Sequence, residues 1–188
     1  MMTKQFVLLN KVFFFLQMTN THKLDPNRFN FAKAMSKFAL NVYDISYINT
    51  LKHVVTKVMG LDNPNDILYT YFEAPIGPTL FPDFVILRDP KSSSIVLVIR
   101  GTFDAKDVLI DLNCKEAPFL DGFAHGGILT GARNILEKAG PVLKEALREN
   151  PDYHLVVIGH SLGAGTAVLA TMCIMSGEND IVDSAKVK

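Results

Sequence analysis

This sequence predicts an α/β fold, a largely parallel sheet with flanking helices, on three observations. Runs such as "SIVLVIRG" and "YHLVVIG" are near-continuous in apolar residues rather than alternating, the pattern of strands covered on both faces. Segments with apolar residues at three- and four-residue spacing stand between and after them, as helices packed on a sheet require. The 188 residues, 48% apolar and 20% charged, are enough for one domain with a real core and too few for two ordinary ones.

The elements follow in order. "KQFVLLNKVFFFLQM" is apolar, but Asn10 and Lys11 split it, and a membrane span needs about 20 consecutive apolar residues. Lys4 ahead of the run leaves a signal peptide open, although no small-x-small cleavage site follows cleanly. Residues 1–30 are therefore set apart as an N-terminal segment, and 31–188 are read as an incomplete domain. Arg28 to Gly60 has helical spacing and is read as two helices, with Gly60 as the stop. Pro64, Pro75, Pro78 and Pro82 make the next stretch mostly connection, with one short strand at most. "DFVILRD" and "SIVLVIRG", joined through "PKSSS", read as a strand pair.

Past Gly101 the pattern is irregular through Pro118, and helix resumes near Gly127. That helix places Ile128, Ile135, Leu136, Leu143 and Leu147 on one face, with a kink expected at Gly140-Pro141. "YHLVVIG" is a buried strand, Leu162 to Met175 a helix, and "AKVK" the opening of another strand.

Composition narrows the function. A formal net charge of zero gives no electrostatic footprint for nucleic acid, so no nucleic-acid partner is expected. Cys114 and Cys173 have neither metal-ligand spacing nor the number for a disulfide framework, so no metal or other cofactor is expected. The lack of an N-x-S/T sequon favours a cytoplasmic or peripheral-membrane location, with secretion left open.

The chemistry concentrates in "VVIGHSLGAGTA". Gly159-His160-Ser161-Leu162-Gly163 fits G-x-S-x-G at the point where strand gives way to helix. A serine on so sharp a turn sits in strained backbone, and the flanking glycines let neighbouring chain pass without a side-chain clash. The helix that follows directs free N–H groups and its positive dipole end towards the serine, where an oxyanion would develop. A glycine-rich turn that merely packs a helix on a sheet is the bland alternative.

"GHSLGAGTA" together with "VIRGTFDAKDVLIDL" resembles the class 3 (fungal-type) lipase family of α/β hydrolases, most nearly its sn-1-specific diacylglycerol lipase branch. The resemblance runs from about Phe31 to the end and implies the N-terminal part of an α/β-hydrolase fold. It implies Ser161 as nucleophile, with the Thr102 hydroxyl and the Leu162 N–H as oxyanion donors and Asp111 holding Thr102 in place. It also implies that Phe103 to Ile110 is a lid, for which the mixed apolar and charged residues suit a piece facing either core or lipid. An ordinary connecting helix is the alternative there, as a helix cap or solvated charge is for Asp111.

Each histidine carries its own expectation. His160, inside the elbow, should point away from Ser161 and act structurally, while His125 matches a family histidine ahead of a long helix and is read as packing and hydrogen bonding near the site. His22, His53 and His154 read as surface residues.

The fold's triad runs Ser, then Asp or Glu, then His along the chain. After Ser161 come Glu178, Asp180 and Asp183, but no histidine. The expectation is a chain truncated within a lipase domain, its triad acid and base lying elsewhere. The implied activity is hydrolysis of acylglycerol esters at a membrane or lipid-droplet surface. The rival is a non-catalytic lipase fragment that binds lipid or a partner.

Overall fold

The computed structural model describes residues 25–45, 51–72, 82–101, 116–178, 180–183 and 186–188. The apolar N-terminal run, Thr102, the Phe103 to Ile110 segment, Asp111 and Cys114 lie outside the described residues. Two compact units divide the chain, Met1–Ala34 and Met35–Lys188. In the first, the described residues open helix α1 (Pro26–Asn41), whose start is fixed by proline at its first position and by the Asn27 N–H donating to Asp25 Oδ1 at 3.0 Å.

In the second unit α1 continues with Met35, Phe38 and Ala39 buried, then tightens into a 3₁₀ turn, Val42–Asp44. Helix α2 (Lys52–Met59) ends as the sequence predicts. Gly60 takes φ 68°, and the Leu61 N–H returns to Thr56 O at 3.0 Å, satisfying a terminal carbonyl. The Asn41 side chain donates to Val58 O at 2.8 Å and ties the two helices together.

Four strands make the main sheet: β1 (Ile67–Tyr71), β2 (Phe84–Asp89), β3 (Ser94–Ile99) and β6 (His154–Gly159), in the order β1-β2-β3-β6. Every residue of β3 is buried, as its uninterrupted apolar run predicts. The α/β class holds, but the sheet is mixed where a largely parallel one was expected. β1–β2 and β2–β3 are antiparallel, and β3–β6 is parallel. The cause is connection length. The turn after Asp89 is short enough to reverse the chain and is braced by Ser92 Oγ donating to Asp89 Oδ2 at 2.6 Å, whereas β3 and β6 are joined through a long helix.

Between β3 and that helix the structure holds a hairpin, β4 (Glu116–Phe119) and β5 (Gly122–His125), that sequence reasoning read as irregular chain. Helix α3 (Gly126–Glu149) then runs continuously through Gly140 and Pro141, and helix α4 (Leu162–Met175) follows β6. Leu129, Ile135, Leu136 and Leu143 of α3 and Ala167, Ala170 and Ile174 of α4 form one cluster with Phe84, Ile86, Ile95, Leu97 and Ile99. At about 1.5–3 kcal/mol per buried aliphatic or aromatic side chain, this layer is what fixes α4 on the sheet. Ile128, expected on the buried face, is only half-buried because the helix turns Leu129 and Ala132 inward instead.

"AKVK" behaves as expected: Val187 bridges Leu155 in the parallel sense, and the Lys188 N–H donates to Leu155 O at 3.0 Å. Beyond Leu155 and Val156, β6 is half-buried from Val157 to Gly159, so its last turn opens toward solvent where the serine follows. Among the described residues, no helix is long and apolar enough to cross a membrane.

Candidate active site

β6 and α4 meet at Ser161, which adopts φ 57° and ψ −126°. A side-chain-bearing residue at positive φ is held there only by its surroundings, at about 1–3 kcal/mol of local strain. Those surroundings are three glycines where chain segments touch. A Cβ on Gly163 would stand 2.5 Å from Ile99 O and 2.9 Å from Gly101 N, both backbone atoms that cannot swing aside. A Cβ on Gly159 would strike the Gly163 carbonyl, and one on Gly101 would stand 2.6 Å from His160 O. The end of β3 is thereby pressed against the strand-to-helix turn, an approach that alanine at any of the three would push apart.

The turn leaves its first helical donor available. The Gly163 N–H donates to His160 O at 3.1 Å and the Ala164 N–H to Ser161 O at 3.0 Å, while the Leu162 N–H finds no acceptor among the described residues. Ser161 is exposed, and its hydroxyl has no hydrogen-bond partner among the described residues. Oriented N–H groups at a helix start offer a negative oxygen both hydrogen bonds and the positive end of the dipole.

Arg100, the residue after β3, is anchored twice. Its N–H donates to Asp83 O at 2.9 Å, and its guanidinium meets Asp83 Oδ2 at 2.8 Å. The guanidinium lies 5.9 Å from the ring of Tyr43. That ring stands edge-on to the His160 imidazole, with centroids 5.6 Å apart. The Tyr43 hydroxyl donates to His160 O at 3.2 Å and lies 3.2 Å from His160 Nδ1. Burial pushes the phenol above its ordinary value of 10.0, against the opposing pull of the Gly101 N–H and the Arg100 charge.

His160 therefore turns to Tyr43. His125 caps α3, its Nδ1 accepting from the Ile128 N–H at 3.4 Å, and no hydrogen bond joins it to Ser161. The carboxylates after Ser161 are engaged elsewhere: Glu178 pairs with Arg133, and Asp180 with Lys144 at 3.1 Å. Among the described residues, no group of three or more His, Cys, Asp or Glu could hold a metal ion. Gly159, His160, Ser161, Leu162 and Gly163 are thus brought together with Gly101. Sequence reasoning did not single out Tyr43, which meets His160 across 117 positions and carries no local motif.

Residues 96–187 match the family model described as Lipase (class 3). The chain is 35% identical over 99 residues to mouse diacylglycerol lipase-beta, covering 48% of this chain and 15% of that protein. It is 33% identical over 118 residues to a lipase of Rhizopus niveus, covering 61% of this chain and 29% of that one. It therefore spans less than a third of these curated relatives. A solved lipase of Yarrowia lipolytica superposes with a TM-score of 0.67 at 24% identity, covering 87% of this chain and 60% of that one, which supports the fold. A serine at positive φ between strand and helix, set among glycines too crowded for a Cβ, lies within the stretch that the model matches. Over those residues the chain is similar to the class 3 lipase family.

Proposed function

We propose that this chain carries the nucleophile half of a serine ester hydrolase of the lipase type, acting on acylglycerols, with Ser161 as nucleophile. The observation that carries the reading is Ser161 itself, exposed and held at positive φ where β6 gives way to α4. Ser161 Oγ attacks the ester carbonyl as its proton passes to a base. The carbonyl oxygen becomes an oxyanion held by the Leu162 N–H and by Thr102, which Asp111 steadies. Collapse expels the glyceride alcohol with a proton and leaves an acyl-serine, which water hydrolyses to the fatty acid. Gly101, packed on the elbow, is the residue before Thr102, and this adjacency supports the second donor.

Glyceride preference rests on the relatives, of which the mouse protein is named for diacylglycerol. A lipid membrane or droplet surface would present such substrates, with Phe103 to Ile110 as the lid. No histidine follows Ser161 in the sequence, so this reading assigns the general base and its acid outside the 188 residues and leaves His125 as a helix cap. The test is hydrolysis of a diacylglycerol in mixed micelles by an extended polypeptide that supplies a triad histidine. Turnover that disappears in Ser161→Ala supports the proposal, and turnover that survives that change refutes it.

A further inference from the structure

We infer that Asp83 is a positioning residue: by clamping Arg100 it holds Gly101, and with it the residue that follows, against the serine elbow. The consequence for turnover rests on the reading of Ser161 as nucleophile and Thr102 as oxyanion donor; the structural claim does not.

The sheet stops just short of this joint. The β2–β3 ladder ends at Phe84 and Ile99, and the β3–β6 ladder at Ile99 and Gly159. Arg100 and Gly101 therefore lie past the last ladder pair, and Gly101 is the buried residue that meets the elbow. The contact there is close packing: a Cβ on Gly101 would stand 2.6 Å from His160 O, and one on Gly163 would stand 2.9 Å from Gly101 N. Packing of this kind limits how near two segments can come, but a few atom pairs attract each other only weakly. Asp83 adds the directional restraint. From its place just ahead of β2, its carbonyl accepts the Arg100 N–H at 2.9 Å and its Oδ2 accepts from Arg100 Nη1 at 2.8 Å. Main chain and side chain of Arg100 are fixed to the same residue, which leaves the peptide leading to Gly101 little freedom to swing. The two side chains are only 12% and 20% exposed, so water screens the pair less than it screens a surface pair. The guanidinium also lies 5.9 Å from the Tyr43 ring, which bounds it on a further side. A second ion pair on the same strand supplies the comparison. Arg88 meets Asp66 at 2.8 Å with exposures of 30% and 7%, but Arg88 pairs in register with Ile95, near the start of β3 and away from Gly101.

Asp83→Asn keeps the side chain's shape and the backbone bond while removing the charge. Amide exchange in the 188-residue chain, read relative to the amides within β3, measures the joint. The N–H groups of Arg100, Gly163 and Ala164, the last two bonded to His160 O and Ser161 O, should exchange about tenfold faster in Asp83→Asn. Asp83→Glu should recover most of that protection, and Arg100→Lys, which keeps the charge without the planar fork, should loosen the same three amides. Asp66→Asn removes the comparable pair and should leave them within twofold of the parent. In an extended, active polypeptide Asp83→Asn should lower kcat about tenfold with KM within twofold, because a donor is displaced and the substrate contacts are not. Elbow amides indifferent to both Asp83→Asn and Arg100→Lys, or loosened equally by Asp66→Asn, overturn the proposal. So does a fall in kcat that Asp66→Asn matches. If turnover proves independent of Ser161 while the exchange results hold, the functional reading fails and the positioning claim stands.

Discussion

Replacing Ser161 by glycine should make the fold more stable than replacing it by alanine, although both remove the hydroxyl. Alanine keeps the Cβ and so keeps the strain of φ 57° and ψ −126°, which is about 1–3 kcal/mol. Glycine adopts this backbone freely, but its unfolded chain is more disordered, which returns about 0.4–1 kcal/mol. The hydroxyl itself makes no hydrogen bond among the described residues, so its loss adds little in either variant. The net difference is about 1 kcal/mol in favour of glycine, which corresponds to roughly 2–4 °C in Tm for a chain of this size. Urea and thermal unfolding of Ser161→Gly and Ser161→Ala, run side by side, measure it. At an unstrained position the order reverses, because glycine then carries only its entropic cost. Alanine equal to or more stable than glycine would therefore refute the strained elbow.

Two glycines in the same segment should respond with opposite signs. Gly163→Ala drives a methyl into Ile99 O and Gly101 N and should destabilise by about 1–3 kcal/mol, whereas the methyl of Gly165→Ala meets, among the described residues, the Ile128 side chain at 3.7 and 3.9 Å and should stabilise α4 by about 0.5–1 kcal/mol, both read from urea midpoints. Thr102→Ala in an extended, active polypeptide should lower kcat about a hundredfold or more while Thr102→Ser is tolerated; equal activity of Thr102→Ala and the parent would remove Thr102 from the mechanism. Cys173 gives a pH dependence: burial first, then Glu178, pushes its thiol from 9.0 up to about 12, so the folded state resists an ionisation that the unfolded chain accepts. The stability it contributes is complete below pH about 8.5 and declines as pH rises towards about 12, and Cys173→Ala should flatten that decline in urea midpoints measured against pH.

What could be read from the sequence was whatever is local. The elbow is a few contiguous residues whose order, strand then glycine then serine then small-residue helix, encodes its own geometry, and Gly60 announces a helix stop by the same logic. The sense of strand pairing is not local. β2 and β3 are as apolar as parallel strands because both of their faces are covered, and only the length of their connection makes them antiparallel. The β4–β5 hairpin escaped because its strands are four residues each and one contains Pro118, too short and too interrupted for alternation to register. Tyr43 escaped for a third reason. Its partners are set by where α1 delivers the chain relative to the ends of β3 and β6, which no spacing within the sequence records.

The most direct test of the central claim is the site at which a serine-directed fluorophosphonate attaches. In an extended polypeptide with a triad histidine, peptide mass mapping should place the adduct on Ser161, and Ser161→Ala should abolish it. The 188-residue chain alone should label at close to background, because losing the histidine from a triad costs on the order of a millionfold in turnover. An adduct on another residue, or labelling undiminished in Ser161→Ala, would contradict the assignment of Ser161 as the nucleophile. Robust Ser161-dependent labelling of the short chain would instead place a base within it and make His125→Ala the next variant to examine.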